Sequence, residues 1–149
     1  MNYDKIWAKT LSSDEKVEFE FSIGKTYLKF WFIFWSIISF LFLFLYGFGI
    51  LVFLAVLFHF GFYLKVANAY AFTNKRVLIH TGWLSTNTVS IDYQKITDIH
   101  IREPFLDRIF TKSGSIIINT AGTTFLEVVL QHVQSPYEIK KRLDVLKDK

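Results

Sequence analysis

The chain contains no cysteine, so it has no disulfide framework, no thiolate metal site and no cysteine nucleophile. It has two prolines and seven glycines, and the glycines form neither a P-loop nor a dinucleotide fingerprint. No serine stands in a nucleophile-elbow context. The largest absence is local: from Phe30 to Leu64 there is no Lys, Arg, Asp or Glu. What is present is apolar, 52% hydrophobic and 19% aromatic in 149 residues, which excludes a disordered chain.

The uncharged run of thirty-five residues would extend about 52 Å as one helix, against a hydrocarbon core of about 30 Å. Gly47-Phe48-Gly49 lies near its middle and favours a reversal. The run therefore predicts a helical hairpin with spans at 28–46 and 50–67, retained in the mature protein. Both spans lack the polar face that a soluble helix pair needs. Lys25 and Lys29 precede the first span, and Lys65, Lys75 and Arg76 follow the second; the connecting turn is uncharged. The positive-inside rule then predicts a multi-pass protein of the cytoplasmic membrane with both termini in the cytoplasm. Tyr27, Trp31 and Tyr63 are expected at the inner interface. His59, midway along the second span, is expected to hydrogen-bond Ser36, Ser39 or a neighbouring subunit.

The polar parts read mainly as strands. Val17, Phe19, Phe21 and Ile23 alternate with polar residues, predicting a strand before the first span. After the second span, strands are predicted at 70–73, 76–81, 88–92, 96–102, 115–120 and 124–130, broken by turn-forming residues that include Lys112-Ser113-Gly114. Ser135, Pro136 and Glu138 read as N-cap, first helical residue and capping box. Ile139, Leu143 and Leu146 make one apolar stripe on the helix that follows. With no helix between the strands, the sheet is predicted antiparallel, a small barrel or sandwich closed by a C-terminal helix. The organisation is thus 1–27 with the early strand, 28–67 as hairpin, and 68–149 as the β domain, which the early strand is placed to complete.

Several pieces of the C-terminal part carry a resemblance. Tyr70-x-Phe72-Thr73-Asn74-Lys75-Arg76-Val77, Thr81-Gly82-Trp83-Leu84, Ile91 through Ile96 and Ile99, Leu106-x-Arg108-Ile109-Phe110, Ser113-Gly114-Ser115-Ile116, Thr120-Ala121-Gly122 and Ser135-Pro136-Tyr137 follow in order. Residues 69–143 resemble the bacterial pleckstrin-homology (PH) domain of the YdbS-like membrane-protein family. The resemblance implies a membrane-anchored α+β protein with a PH-like fold of about seven strands and one helix. It does not carry over the inositol-phosphate site of eukaryotic PH domains, because the first inter-strand loop offers only Lys75 and Arg76 beside Asn74.

Chemistry is sparse. His80, His100 and His132 fall on separate predicted strands with no ligand spacing, so no metal, cofactor or catalytic site is expected. Asp107-Arg108 reads as a local ion pair or turn contact. Nucleic acid is disfavoured, since a net charge of +4 is modest and bases alternate with acids. Lys25, Lys29, Lys65, Lys75 and Arg76 are expected headgroup contacts on the lipid bilayer. Asp98, His100 and Arg102 should share the exposed face of one strand, with Phe105 in the loop beyond; a partner surface and a solvated face both fit. The expected function is a non-catalytic protein-interaction or self-assembly module, its partner another protein or its own copies. The alternative is a lipid- or small-ligand-binding domain at the membrane.

Overall fold

The computed structural model describes residues 4–43, 48–121 and 127–148. In chain order these form α1 (Asp4–Trp7), β1 (Val17–Phe21), α2 (Lys25–Leu43) and α3 (Gly49–Val66). Strands β2 (Asn68–Thr73), β3 (Arg76–Thr81), β4 (Asn87–Asp92) and β5 (Ile96–Arg102) follow. A short helix at 105–111, α4, then leads to β6 (Ser113–Thr120), β7 (Val128–Gln134) and α5 (Pro136–Lys147).

The strands form two antiparallel sheets, β1-β2-β3-β4 and β5-β6-β7. Strand β1 precedes the helical pair in sequence and β2 follows it, yet the two are hydrogen-bonded neighbours, with Phe21 opposite Tyr70. The helical pair therefore occupies the place of a hairpin loop between adjacent strands, and both of its ends lie on the same side of the sheet. Ser22 Oγ donates to the Asn68 carbonyl at 2.5 Å, fastening the departing chain to the returning one.

Alternation dictates what fills the space between the sheets. Tyr70 and Phe72 of β2 point into a core with Ile79, Ile116, Ile118 and Leu130, all at most 2% exposed. The Tyr70 hydroxyl accepts from the Gln131 N–H at 3.1 Å, joining the two sheets, and burial pushes its pKa up to about 12. The predicted stripe of α5 closes the core: Ile139 and Leu143 are buried and Leu146 packs against them. Arg142 of the same helix lies 4.5 Å over the ring of Phe19 in β1.

The other face of β2 is also covered, so all six of its residues are buried. Ala69 and Ala71 leave room there for the indole of Trp7, 1% exposed, which rests on them and on Leu78. Helix α1 is a single turn of four residues, too short to leave a periodic signal in the sequence. Its attachment continues at Glu15, whose carboxylate accepts from Arg76 Nε at 2.9 Å and Nη2 at 2.7 Å, and from Thr73 Oγ1 at 2.7 Å. The Ser12 N–H adds a fourth bond at 3.2 Å. The guanidinium beside it, aided by the Thr73 and Ser12 bonds and opposed by burial, holds the Glu15 carboxyl down at about 2 instead of 4.5.

The two long helices carry no charged residue between Phe30 and Leu64. Only 11% of each span is buried, and Ile33, Ile37, Phe40, Leu41, Ile50 and Leu51 are each more than half exposed. They meet through small residues. Ser39 Oγ donates to the Gly49 carbonyl at 2.5 Å, and a Cβ on Gly49 would fall 2.5 Å from the Ser39 carbonyl oxygen. Ser36 donates to Phe32 of its own helix, so neither serine meets His59 as expected. His59 instead stacks on Tyr63 within the π-helical stretch Leu57–Tyr63, the ring centroids 5.6 Å apart. The expected end of the first span at 44–46 lies outside the described residues.

Strands β2 and β4 begin at 68 and 87, ahead of the expected 70 and 88, β1 ends at 21 and not 23, and three further boundaries differ for a local reason. Ser135 is left-handed (φ 51°) and its side chain makes no cap bond; its carbonyl accepts from the Glu138 N–H, so no capping box forms. The turn before β6 is made by Lys112 alone, at φ 49°, and Ser113 and Gly114 already belong to the strand. Strand β7 runs to Gln134, past the expected end at 130, because a bulge interrupts its alternation; the expected residues 124–126 lie outside the described ones.

Trp7→Ala removes a fully enclosed indole and is expected to cost about 3–5 kcal/mol, seen as a lowered Tm. The Glu15 carboxylate contributes stability fully above its ordinary pKa of 4.5, and loses it as pH falls toward about 2. Melts at stepped pH should show Glu15→Gln lacking this acid-dependent loss, which amounts to about 3 kcal/mol.

Candidate functional site at the base of the helical pair

The bulge in β7 creates this site. Gly114 pairs with Val133 and Ile116 with Leu130, so Gln131 and His132 together face the single residue Ser115. Such a bulge re-aims a side chain, and a left-handed backbone position is ordinarily filled by glycine. Here the left-handed residue is His132, at φ 47°. Its ring lies over Tyr27 of α2, with centroids 4.0 Å apart and planes 17° from parallel. Its carbonyl accepts from the Gly24 N–H at 2.8 Å, which ties the start of α2 to the second sheet.

Asp107 of α4 faces the same imidazole. Its Oδ2 is 3.3 Å from His132 Nδ1, within ion-pair reach though not aligned as a hydrogen bond, and its side chain is 6% exposed. Thr111, also buried, donates to the Asp107 carbonyl at 2.8 Å and accepts from Ser113 Oγ at 2.5 Å. Phe110 stacks on Phe30 of α2, with centroids 5.1 Å apart and planes 15° from parallel. These contacts make a joint: first helix, second sheet and α4 are fixed to one another through Tyr27, His132 and Asp107. Among the described residues no three His, Asp or Glu side chains gather in a metal-binding arrangement.

The residues expected to act are divided by the fold. Lys25, Lys29 and Lys65 are exposed at the base of the helices. Lys75 and Arg76 are not with them: β2 carries the chain away from α3, and the β2–β3 turn is about 17 Å off at 3.3 Å per residue. Arg76 is further occupied by Glu15, its partner at 2.7 Å. His100 and Arg102 do share the outer face of β5, an edge strand, where His100 Nε2 meets Asp98 Oδ2 at 2.8 Å. Phe105 does not extend that face; it begins α4 and is 74% exposed. Asp107 turns inward to His132 while Arg108 stays exposed, so they form no local pair.

His132 was passed over by sequence reasoning because a glycine-free bulge leaves no local mark, and its partners lie 105 and 25 residues away. A test follows from its backbone. In an ordinary strand alanine is more stable than glycine, but at a left-handed position the order reverses. His132→Gly is therefore expected to melt above His132→Ala, by about 1 kcal/mol of stability.

The comparisons agree with this architecture. The bacterial PH domain family model matches residues 23–147, a stretch that includes both apolar helices. No curated protein matches the chain. Two solved structures are similar in fold. One is a DUF1696 family protein with a pleckstrin-homology domain from Shewanella loihica PV-4: TM-score 0.53, 11% identity, covering 97% of this chain and 93% of that one. The other is a pleckstrin homology domain from Shewanella amazonensis SB2B: TM-score 0.55, 11% identity, covering 98% and 96%. Two antiparallel sheets closed by a C-terminal helix, together with a family match over most of its length, make this chain a member of the bacterial PH domain family.

Proposed function

We propose that this protein is a membrane-anchored interaction module: α2 and α3 cross the cytoplasmic membrane as a hairpin, and the PH-like domain at its inner face binds another protein or a second copy of the chain. PH domains are generally non-catalytic interaction modules. The observation that carries the membrane reading is that only 11% of each of two long apolar helices is buried. A soluble core helix would be covered, and leaving this surface in water is costly at roughly 25 cal/mol per Å².

Orientation follows from β1 pairing with β2, which returns both helix ends to one side. Lys25, Lys29 and Lys65 stand there, and the positive-inside rule assigns that side to the cytoplasm. Each contributes about 1 kcal/mol of attraction to anionic headgroups. Lys75 and Arg76 leave this set, the first by distance and the second also by its engagement with Glu15. This ring of lysines is also the support for the alternative reading, lipid binding at the headgroup layer.

The partner surface is the free edge and outer face of β5. An edge strand presents unpaired backbone groups that an extended segment can complete. Asp98, His100 and Arg102 on its outer face supply charge for selectivity. In membranes, a photo-crosslinking residue replacing His100 or Arg102 should give one discrete adduct, and the protein should resist alkaline extraction. Release by alkali removes the anchor; an extraction-resistant protein without an adduct removes the β5 surface.

A further inference from the structure

Helix α4 is amphipathic the wrong way round for a soluble protein. Two of its three polar residues, Asp107 and Thr111, are buried against the domain, at 4% and 0% exposure. Its apolar residues Phe105, Leu106, Ile109 and Phe110 face outward, at 74%, 47%, 53% and 54%. A second apolar tip lies in the β3–β4 loop, where Gly82 at φ 102° makes the turn. A Cβ there would fall 2.0 Å from the Ser85 carbonyl oxygen, so only glycine fits. This turn presents Trp83 and Leu84, the latter 87% exposed.

Each tip leans on one of the long helices. Phe110 stacks on Phe30, the first residue of the uncharged run after Lys29. Trp83 packs on Phe62 and Phe58, with centroids 5.3 and 5.6 Å apart. Those two residues stand three and seven positions before Lys65, about 5 and 10 Å along the helix. That is the depth, about 5–10 Å, to which an interfacial apolar face sinks into a bilayer. Arg108 and Lys112, both exposed, flank the outward face of α4 as headgroup-reaching cations.

We propose that α4 and the Trp83–Leu84 tip are immersed in the inner leaflet beside the two spans, so that the domain is seated on the lipid at two further points and not merely tethered to it. The inference rests on the hairpin spanning the membrane. A lipid surface is the occupant because the apolar face of α4 is continuous with α2 while the other tip adjoins α3. One bilayer reaches both, whereas a single protein partner would have to surround the hairpin.

The absence of cysteine permits single-thiol probes in the full chain. Leu84→Cys, Phe105→Cys and Ile109→Cys test the tips, Ile37→Cys and Leu51→Cys the spans, and Lys75→Cys the water-exposed turn. All six positions are exposed, so folding is spared. Each variant is spin-labelled and reconstituted in phosphatidylethanolamine–phosphatidylglycerol vesicles, and collision with oxygen and with a nickel chelate is measured. Labels at 84, 105 and 109 should prefer oxygen, with nickel accessibility about fivefold or more below that at 75. If they match position 75 while 37 and 51 prefer oxygen, the immersion is overturned and the hairpin stands. If 37 and 51 also admit nickel, the hairpin reading itself falls. Labels at 105 and 109 shielded from both reagents would mean that protein, a second copy or another partner, covers α4, which also overturns the lipid assignment.

Discussion

The pairing of β1 with β2 is the constraint on which the rest of the molecule depends. It brings the two ends of a forty-six-residue excursion to strand spacing, about 4.8 Å. The helices must then leave and return side by side, and they do so through the close Ser39–Gly49 contact. Once β1 is in the sheet, the segment before it is drawn across the outer face, where Trp7 and Glu15 lock onto β2 and Arg76. The N-terminal arm, the helical pair and the β domain are one mechanical unit because all three are joined through β1.

The joint at His132 has the same logic on the second sheet. A left-handed position that would ordinarily be glycine carries a ring, and the cost of that backbone is offset by the stack on Tyr27 and the approach of Asp107. Helix α2 is thus gripped from both sheets, by continuity with β1 and by the Gly24–His132 bond. Rotation of α2 about its base would break the stack, so the orientation of the helix and the shape of the β7 edge are fixed together.

Much of this was legible in the sequence. Thirty-five residues without charge announced the helices, and alternation at 17–21 and 96–102 announced strands, because burial on one face leaves a period-two record. The Ile139, Leu143 and Leu146 stripe was readable for the same reason at period 3.6. The joint was not: Tyr27, Asp107 and His132 meet only in three dimensions, and a left-handed histidine has no composition to betray it. The pairing of Arg76 was not legible either, because the glutamate that binds it stands sixty-one residues earlier. The face of α4 was hidden in plain view, since Phe105 read as a loop residue once the helix behind it went unrecognised.

The Ser22–Asn68 bond, spanning forty-six positions, also bears on the order of folding. Closing a flexible loop of that length costs about 3 kcal/mol in chain entropy. A helical pair already zipped at Ser39 and Gly49 returns the chain to its starting point and removes most of that cost. A sheet that closes after the helices have paired avoids most of this entropy, and β1, which precedes the helices in the chain, has no neighbour until β2 follows α3.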